Sequence, residues 1–117
     1  MAVTLFGKYL RKLRIEHDQL LKTMADILNV SSAQLSAMEL GNRTIQPDLA
    51  SKIAGAYNIE NIEELQHLID VSQPSVKAEL STATDMQRET MIMFARAFTE
   101  MSDDQLQQIQ EITMSTK

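Results

Sequence analysis

A chain of 117 residues, 44% of them apolar, can bury one modest core. Its 4% aromatic content, zero Trp and three Gly argue against a β-sandwich or barrel, and zero Cys excludes a disulfide framework or a thiolate metal site. The net charge of −5 is unevenly placed: residues 1–58 hold seven basic and five acidic side chains (+2), residues 59–117 four basic and eleven acidic (−7). That asymmetry predicts a basic functional half and an acidic appendage. No run approaches the roughly 18 apolar residues of a membrane span. Lys8, Arg11, Lys12 and Arg14 interrupt any signal-peptide core, so a cytoplasmic protein is expected.

In chain order, the first helix is expected over about residues 4–17, with Leu5, Tyr9 and Leu13 on its apolar stripe and Phe6 and Leu10 beside them. Asp18 is expected to cap the second helix. From residue 20 to 43 the pattern reads as two short helices joined by a tight turn. Apolar side chains recur at helical offsets at Leu20, Met24, Ile27 and Leu28, then at Val30, Leu35 and Met38. The break is Asn29-Val30-Ser31. Asn tolerates the left-handed conformation that ends a helix, and Ser31 can cap the next one. Ala25 is small, as a close helix crossing requires. The third helix, 32–40, stops at Gly41.

A fourth helix follows Pro47 and Asp48 and runs to Tyr57, burying Leu49, Ile53 and Ala54. Asn61 to Glu64 fits a capping box opening a fifth helix to about residue 69, with Ile62, Leu65, Leu68 and Ile69 closing the bundle. Residues 71–84 read as a linker, with a helical turn around 76–80. A long helix is expected over 85–100, and a last one opens at the capping box Ser102 to Gln105. Met91, Ile92, Ala95 and Phe98 on the first of these, and Leu106, Ile109 and Ile112 on the second, need a partner surface. A second copy of the chain is the simplest, so these residues are expected to dimerise. The expected domains are 1–70, the 71–84 linker and 85–117.

Histidines 17 and 67 lie far apart in the sequence, and helix-start chemistry accounts for Asp103-Asp104. No catalytic residue, metal ligand or cofactor is expected, and no enzyme.

By Glu39-Leu40-Gly41 the pattern resembles the lambda-repressor-like, Xre-type helix-turn-helix domains of phage and bacterial regulators. The carrying residues are Leu10-Arg11-x-Leu13-Arg14, Met24-Ala25, Val30-Ser31, Leu35-Ser36, Glu39-x-Gly41 and Ile53-Ala54. The resemblance implies an all-α, five-helix DNA-binding domain followed by a helical C-terminal segment. It implies a dimeric repressor whose third helix lies in the major groove of operator DNA. Ser32, Ala33 and Gln34 would face base edges. Ala37 would meet a thymine methyl or fill space. Ser36, Asn42 and Arg43 match phosphate-contacting positions, and Arg14 and Glu39 match a partly buried structural ion pair.

With Ser31 and Lys22 the expected DNA-binding set is Lys22, Ser31, Ser32, Ala33, Gln34, Ser36, Ala37, Asn42 and Arg43. Leu21 departs from the family's phosphate-binding Gln, and Lys22 is its expected substitute. Gln34 is either an adenine reader or the return arm of a cap on Ser31. Two other readings fit the same residues: an antitoxin that represses its own operon and neutralises a toxin, and a protein-interaction module that has lost DNA binding.

Overall fold

A computed structural model describes residues 2–116; the end residues of the expected domains, Met1 and Lys117, lie outside the described residues. The described chain is all-helical: α1 (Leu5–Glu16), α2 (Leu21–Leu28), α3 (Ser32–Glu39), α4 (Leu49–Tyr57), α5 (Ile62–Ser72), α6 (Asp85–Ala97) with a 3₁₀ turn over Phe98–Glu100, and α7 (Asp103–Met114). It divides into two compact units between Val76 and Lys77.

The first unit holds the core. Phe6, Leu10, Met24, Leu28, Leu35 and Met38 are fully or almost fully buried, as are Ile45, Leu49, Ile53, Leu65 and Ile69. Their spacing of three or four within each helix puts one face of each inward. The stripes are narrower than the sequence suggests. Leu5, Leu20, Ile27 and Ile62 are exposed, because α1, α2 and α5 each bury only the residues at the centre of the stripe.

The helix ends are set by specific bonds. Thr4 caps α1 by accepting from the Gly7 amide at 3.1 Å, and its own hydroxyl and amide both donate to the Glu39 carbonyl, at 2.9 and 3.0 Å. The start of α1 is thereby stitched to the end of α3. Ser72, buried at the end of α5, accepts from the Phe6 amide at 3.1 Å. The Gln73 side chain then pairs with both backbone groups of Ile45, at 2.9 and 3.0 Å. These bonds carry α5 through Val71 and Ser72, which the sequence placed in the linker.

Two other expectations need correction. Asp18 does not cap α2: it sits at φ +55° in the turn after α1, and the cap position is Leu20, whose side chain makes no capping bond. Asp18 is used by the reversal between the helices, so its carboxylate is not where the first α2 amides point. Asp48 stands at the N-cap position of α4, where its charge complements the positive helix end, and lies 3.5 Å from Lys52. No helical turn forms over residues 76–80; the chain is open there, and a turn at residues 81–82 precedes α6.

Candidate nucleic-acid interface

The geometry of the site begins at the turn between α2 and α3. Asn29 takes φ 60°, ψ 45° and ends α2; the Val30 amide closes the turn on the Ala25 carbonyl at 3.0 Å. A short polar side chain makes that left-handed conformation affordable without glycine. Ala25 is buried where α2 packs on α3, so the two helices meet closely and their angle is fixed by contact.

Ser31 opens α3 with a complete capping box. Its hydroxyl accepts from the Gln34 amide at 3.0 Å, and the Gln34 side-chain oxygen accepts from the Ser31 amide at 2.9 Å. Within the chain, Gln34 is the return arm of the cap on Ser31. A bidentate adenine contact uses both side-chain atoms, and here the oxygen is engaged by the cap. Gln34→Ala is therefore expected to lower stability by about 0.5–1 kcal/mol, as a weakened N-cap does, and to weaken duplex binding by a similar factor for every sequence. Chemical denaturation and binding to a set of single-base operator variants check this; loss of preference at one base pair alone would contradict it.

α3 buries Leu35, Met38 and Glu39 and turns its other side outward. Ser31 and Ala33 are exposed, and Ser32, Gln34, Ser36 and Ala37 are half-buried. No acidic residue occurs between Ser31 and Ala37. Asn42 and Arg43 are exposed in the loop after α3. Lys22 is exposed on the first turn of α2 and lies 3.5 Å from Asp26, with both side chains more than two-thirds solvated. So loose a surface pair holds Lys22 weakly and leaves it free to meet a phosphate.

The end of α3 is clamped from below. Arg14 of α1 donates to both Glu39 carboxylate oxygens, at 2.5 and 3.0 Å, in a two-pronged pair. The Glu39 side chain is 2% exposed and that of Arg14 11%. Arg11 approaches the same carboxylate at 3.5 Å, and Arg14 also touches the Met24 sulfur at 3.3 Å. The backbone carbonyl of Glu39 takes the two Thr4 bonds, so one residue ties α3 to α1 through both its side chain and its main chain. Both Asp26 and Glu39, the only acids between residues 20 and 43, are thus paired with cations.

Gly7 was not legible as part of this support. A Cβ there would collide with the Glu39 carbonyl oxygen and stand 2.7 Å from a Val3 methyl. Only glycine lets α1 lie this close to the end of α3. A glycine inside a helical pattern is the one sequence signal that pointed to it.

Residues 10–60 match the family model described as Helix-turn-helix. That segment is a lambda-repressor-like, Xre-type helix-turn-helix domain. The match supports a DNA-binding role for this segment. Comparisons with curated proteins and with solved structures give no match. In the helix-turn-helix domain, the departure at Leu21 has a packing explanation: its side chain is partly buried against the core. Leu21 therefore supports the angle of α2 and leaves the adjoining exposed Lys22 as the cation at that helix start. No helix is long and apolar enough to cross a membrane among the described residues.

Proposed function

We propose that this regulator is a repressor that occupies its operator as a two-fold dimer in the cytoplasm. Each copy lays α3 in a major groove, and successive grooves on one face of the duplex lie about 34–36 Å apart. Ser32 and Ala33 meet base edges, Ala37 stands one turn further on, and Gln34 holds the helix start. Lys22, Ser31, Ser36, Asn42 and Arg43 meet the phosphate backbone. The observation that carries this reading is the outward edge of α3, free of acidic side chains and held by the Arg14–Glu39 clamp.

The chemistry of the edge is sparse: hydroxyls and methyls, with no Arg to grip guanine. Specificity then comes from adding two weak half-sites. Once one copy is seated, binding of the second is intramolecular and occurs at high effective concentration. The energy of shaping the DNA between half-sites adds sequence preference that no side chain needs to read.

Arg43→Ala tests the electrostatic part. Each phosphate contact contributes about one unit to the slope of log affinity against log salt concentration. The variant is expected to bind all duplexes more weakly and to lose about one unit of slope per subunit bound. An unchanged slope would remove Arg43 from the interface.

A further inference from the structure

The unit that begins at Lys77 has no interior of its own: none of its described residues is buried. Yet α6 and α7 flank an apolar groove of about 1010 Å³, with Met91, Phe94, Ala97 and Met101 on one side and Ile109 and Ile112 on the other. No charged residue lines it. With about 100° of rotation per residue, the charged side chains of α6 (Asp85, Arg88, Glu89 and Arg96) fall within about a third of its circumference, away from the groove. The lining residues that can hydrogen-bond are Gln87 and Thr90 in the first two turns of α6, and Thr113 and Thr116 at the end of α7 and just past it. Some of their polar atoms are already used. The Thr113 and Thr116 hydroxyls donate to the Gln110 and Ile112 carbonyls at 2.8 and 2.7 Å, and the Gln87 side-chain oxygen accepts from the Thr84 amide at 2.8 Å. The Thr90 hydroxyl and the Gln87 side-chain N–H groups have no partner among the described residues.

We propose that this groove binds a small, uncharged, mostly apolar molecule that carries one hydroxyl or carbonyl group. Size argues against a protein occupant. Twelve residues line the groove, whereas a specific protein interface takes about 20–30 from each side. Its volume stands instead at the top of the range of about 300–1,000 Å³ for small-molecule sites, which are likewise apolar with a few polar groups that fix orientation. Charge sets the chemical class. No cation lines the groove, and residues 77–116 carry three basic and seven acidic side chains, a net of −4. A carboxylate or phosphate would therefore enter without a counter-ion, and a cation would lose water with no acid to pair with. A neutral molecule avoids both costs. Its apolar body lies along Phe94, Met101 and Ile109, and its polar group meets the Thr90 hydroxyl and the Gln87 N–H groups. The methionines, unbranched and polarizable, adapt to its outline. Ile92, Ala95 and Phe98, expected to pair two copies, do not line the groove, so pairing through them leaves it open. Helices as short as α6 and α7 are marginal in water without packing, and the bound molecule supplies the core that the unit lacks.

The test titrates the full-length chain, without DNA, with the uncharged solvatochromic dye Nile red and displaces the dye with straight-chain alcohols. The expected result is saturable dye binding at one site per chain, reversed by decanol. Lengthening the alcohol from hexanol to octanol to decanol is expected to tighten binding about tenfold per step, because each step buries two more methylenes. Decanoate, of the same length but charged, is expected to bind about a hundredfold more weakly than decanol. Met91→Asp and Ile109→Asp, each setting a charge on the groove, are expected to abolish dye binding. Met91→Leu, which conserves volume, and Arg88→Ala, on the opposite face of α6, are expected to leave it unchanged. Thr90→Val keeps the shape of the site and removes the hydroxyl. It is expected to weaken decanol roughly fivefold while circular dichroism shows the helical signal intact. Absence of saturable dye binding, decanoate binding as tight as that of decanol, or dye binding that survives both aspartate variants overturns the proposal. So does dye binding that disappears as the chain is concentrated into a dimer, since a second copy would then fill the groove. With no DNA in the titration, its failure leaves the repressor reading standing, and a chain that retains no duplex leaves the ligand site standing.

Discussion

Glu39→Ala is expected to destabilise the helix-turn-helix domain by about 3–5 kcal/mol, the cost of leaving one member of a buried pair alone. Small domains are stable by only about 5–15 kcal/mol, so the loss is a large fraction of the whole. The cause is the residue left behind. Arg14 is 9% exposed, and without the carboxylate its guanidinium keeps only the Met24 sulfur as a partner among the described residues. A charge desolvated and unpaired costs more than the pair contributed. Replacing both partners, as in Arg14→Met with Glu39→Leu, is therefore expected to cost less than Glu39→Ala alone. Denaturant unfolding of the single and double variants measures both. A single-variant loss below about 1 kcal/mol would mean that water reaches the pair and that the end of α3 is held by Thr4 alone.

Gly7→Ala is expected to destabilise by about 1–3 kcal/mol, against the direction of helix propensity. In an open helix the same change stabilises by about 0.5–1 kcal/mol, because alanine loses less backbone freedom on folding. At Gly7 the added methyl meets the Glu39 carbonyl, a backbone group that cannot swing aside. α1 must then move off the end of α3, lengthening the two bonds from Thr4 to Glu39. Gly55 in α4 supplies the control: a Cβ there meets nothing within 4 Å. Gly55→Ala is expected to raise the melting temperature and Gly7→Ala to lower it. If both raise it, the close approach of α1 to α3 is absent in solution.

What the sequence made legible was local. The all-helical class follows from apolar spacings, and the resemblance to helix-turn-helix domains is carried by short motifs such as Met24-Ala25, Val30-Ser31 and Glu39-x-Gly41, features a few residues long. The capping boxes at Ser31 and Ser102 were visible for the same reason, since three residues suffice to write one. A third box joins Thr84 and Gln87 at the same three-residue spacing. The bonds that aim α3 were not legible. Thr4 to Glu39, Phe6 to Ser72 and Ile45 to Gln73 join residues 35, 66 and 28 apart. A hydroxyl or an amide carries no periodic mark of a distant partner.

Asp18 shows the converse error. An acid before an amphipathic run has the local signature of a cap, but the reversal between α1 and α2 draws it into a left-handed turn. Gln34 fits both a cap and a base contact by its local sequence, and its side-chain atoms form the cap. Leu5, Leu20 and Ile27 lie on the expected stripes yet face solvent, because a helix of two or three turns buries a narrower arc than its apolar residues span.

Selection of bound duplexes from random DNA by the full-length chain at low salt tests most directly whether α3 reads DNA as a pair. The expected result is an enriched sequence of two inverted half-sites, with centres one helical turn, about 10–10.5 base pairs, or a multiple apart. Retention of no duplex, or equal retention of all with no enriched sequence, would contradict it.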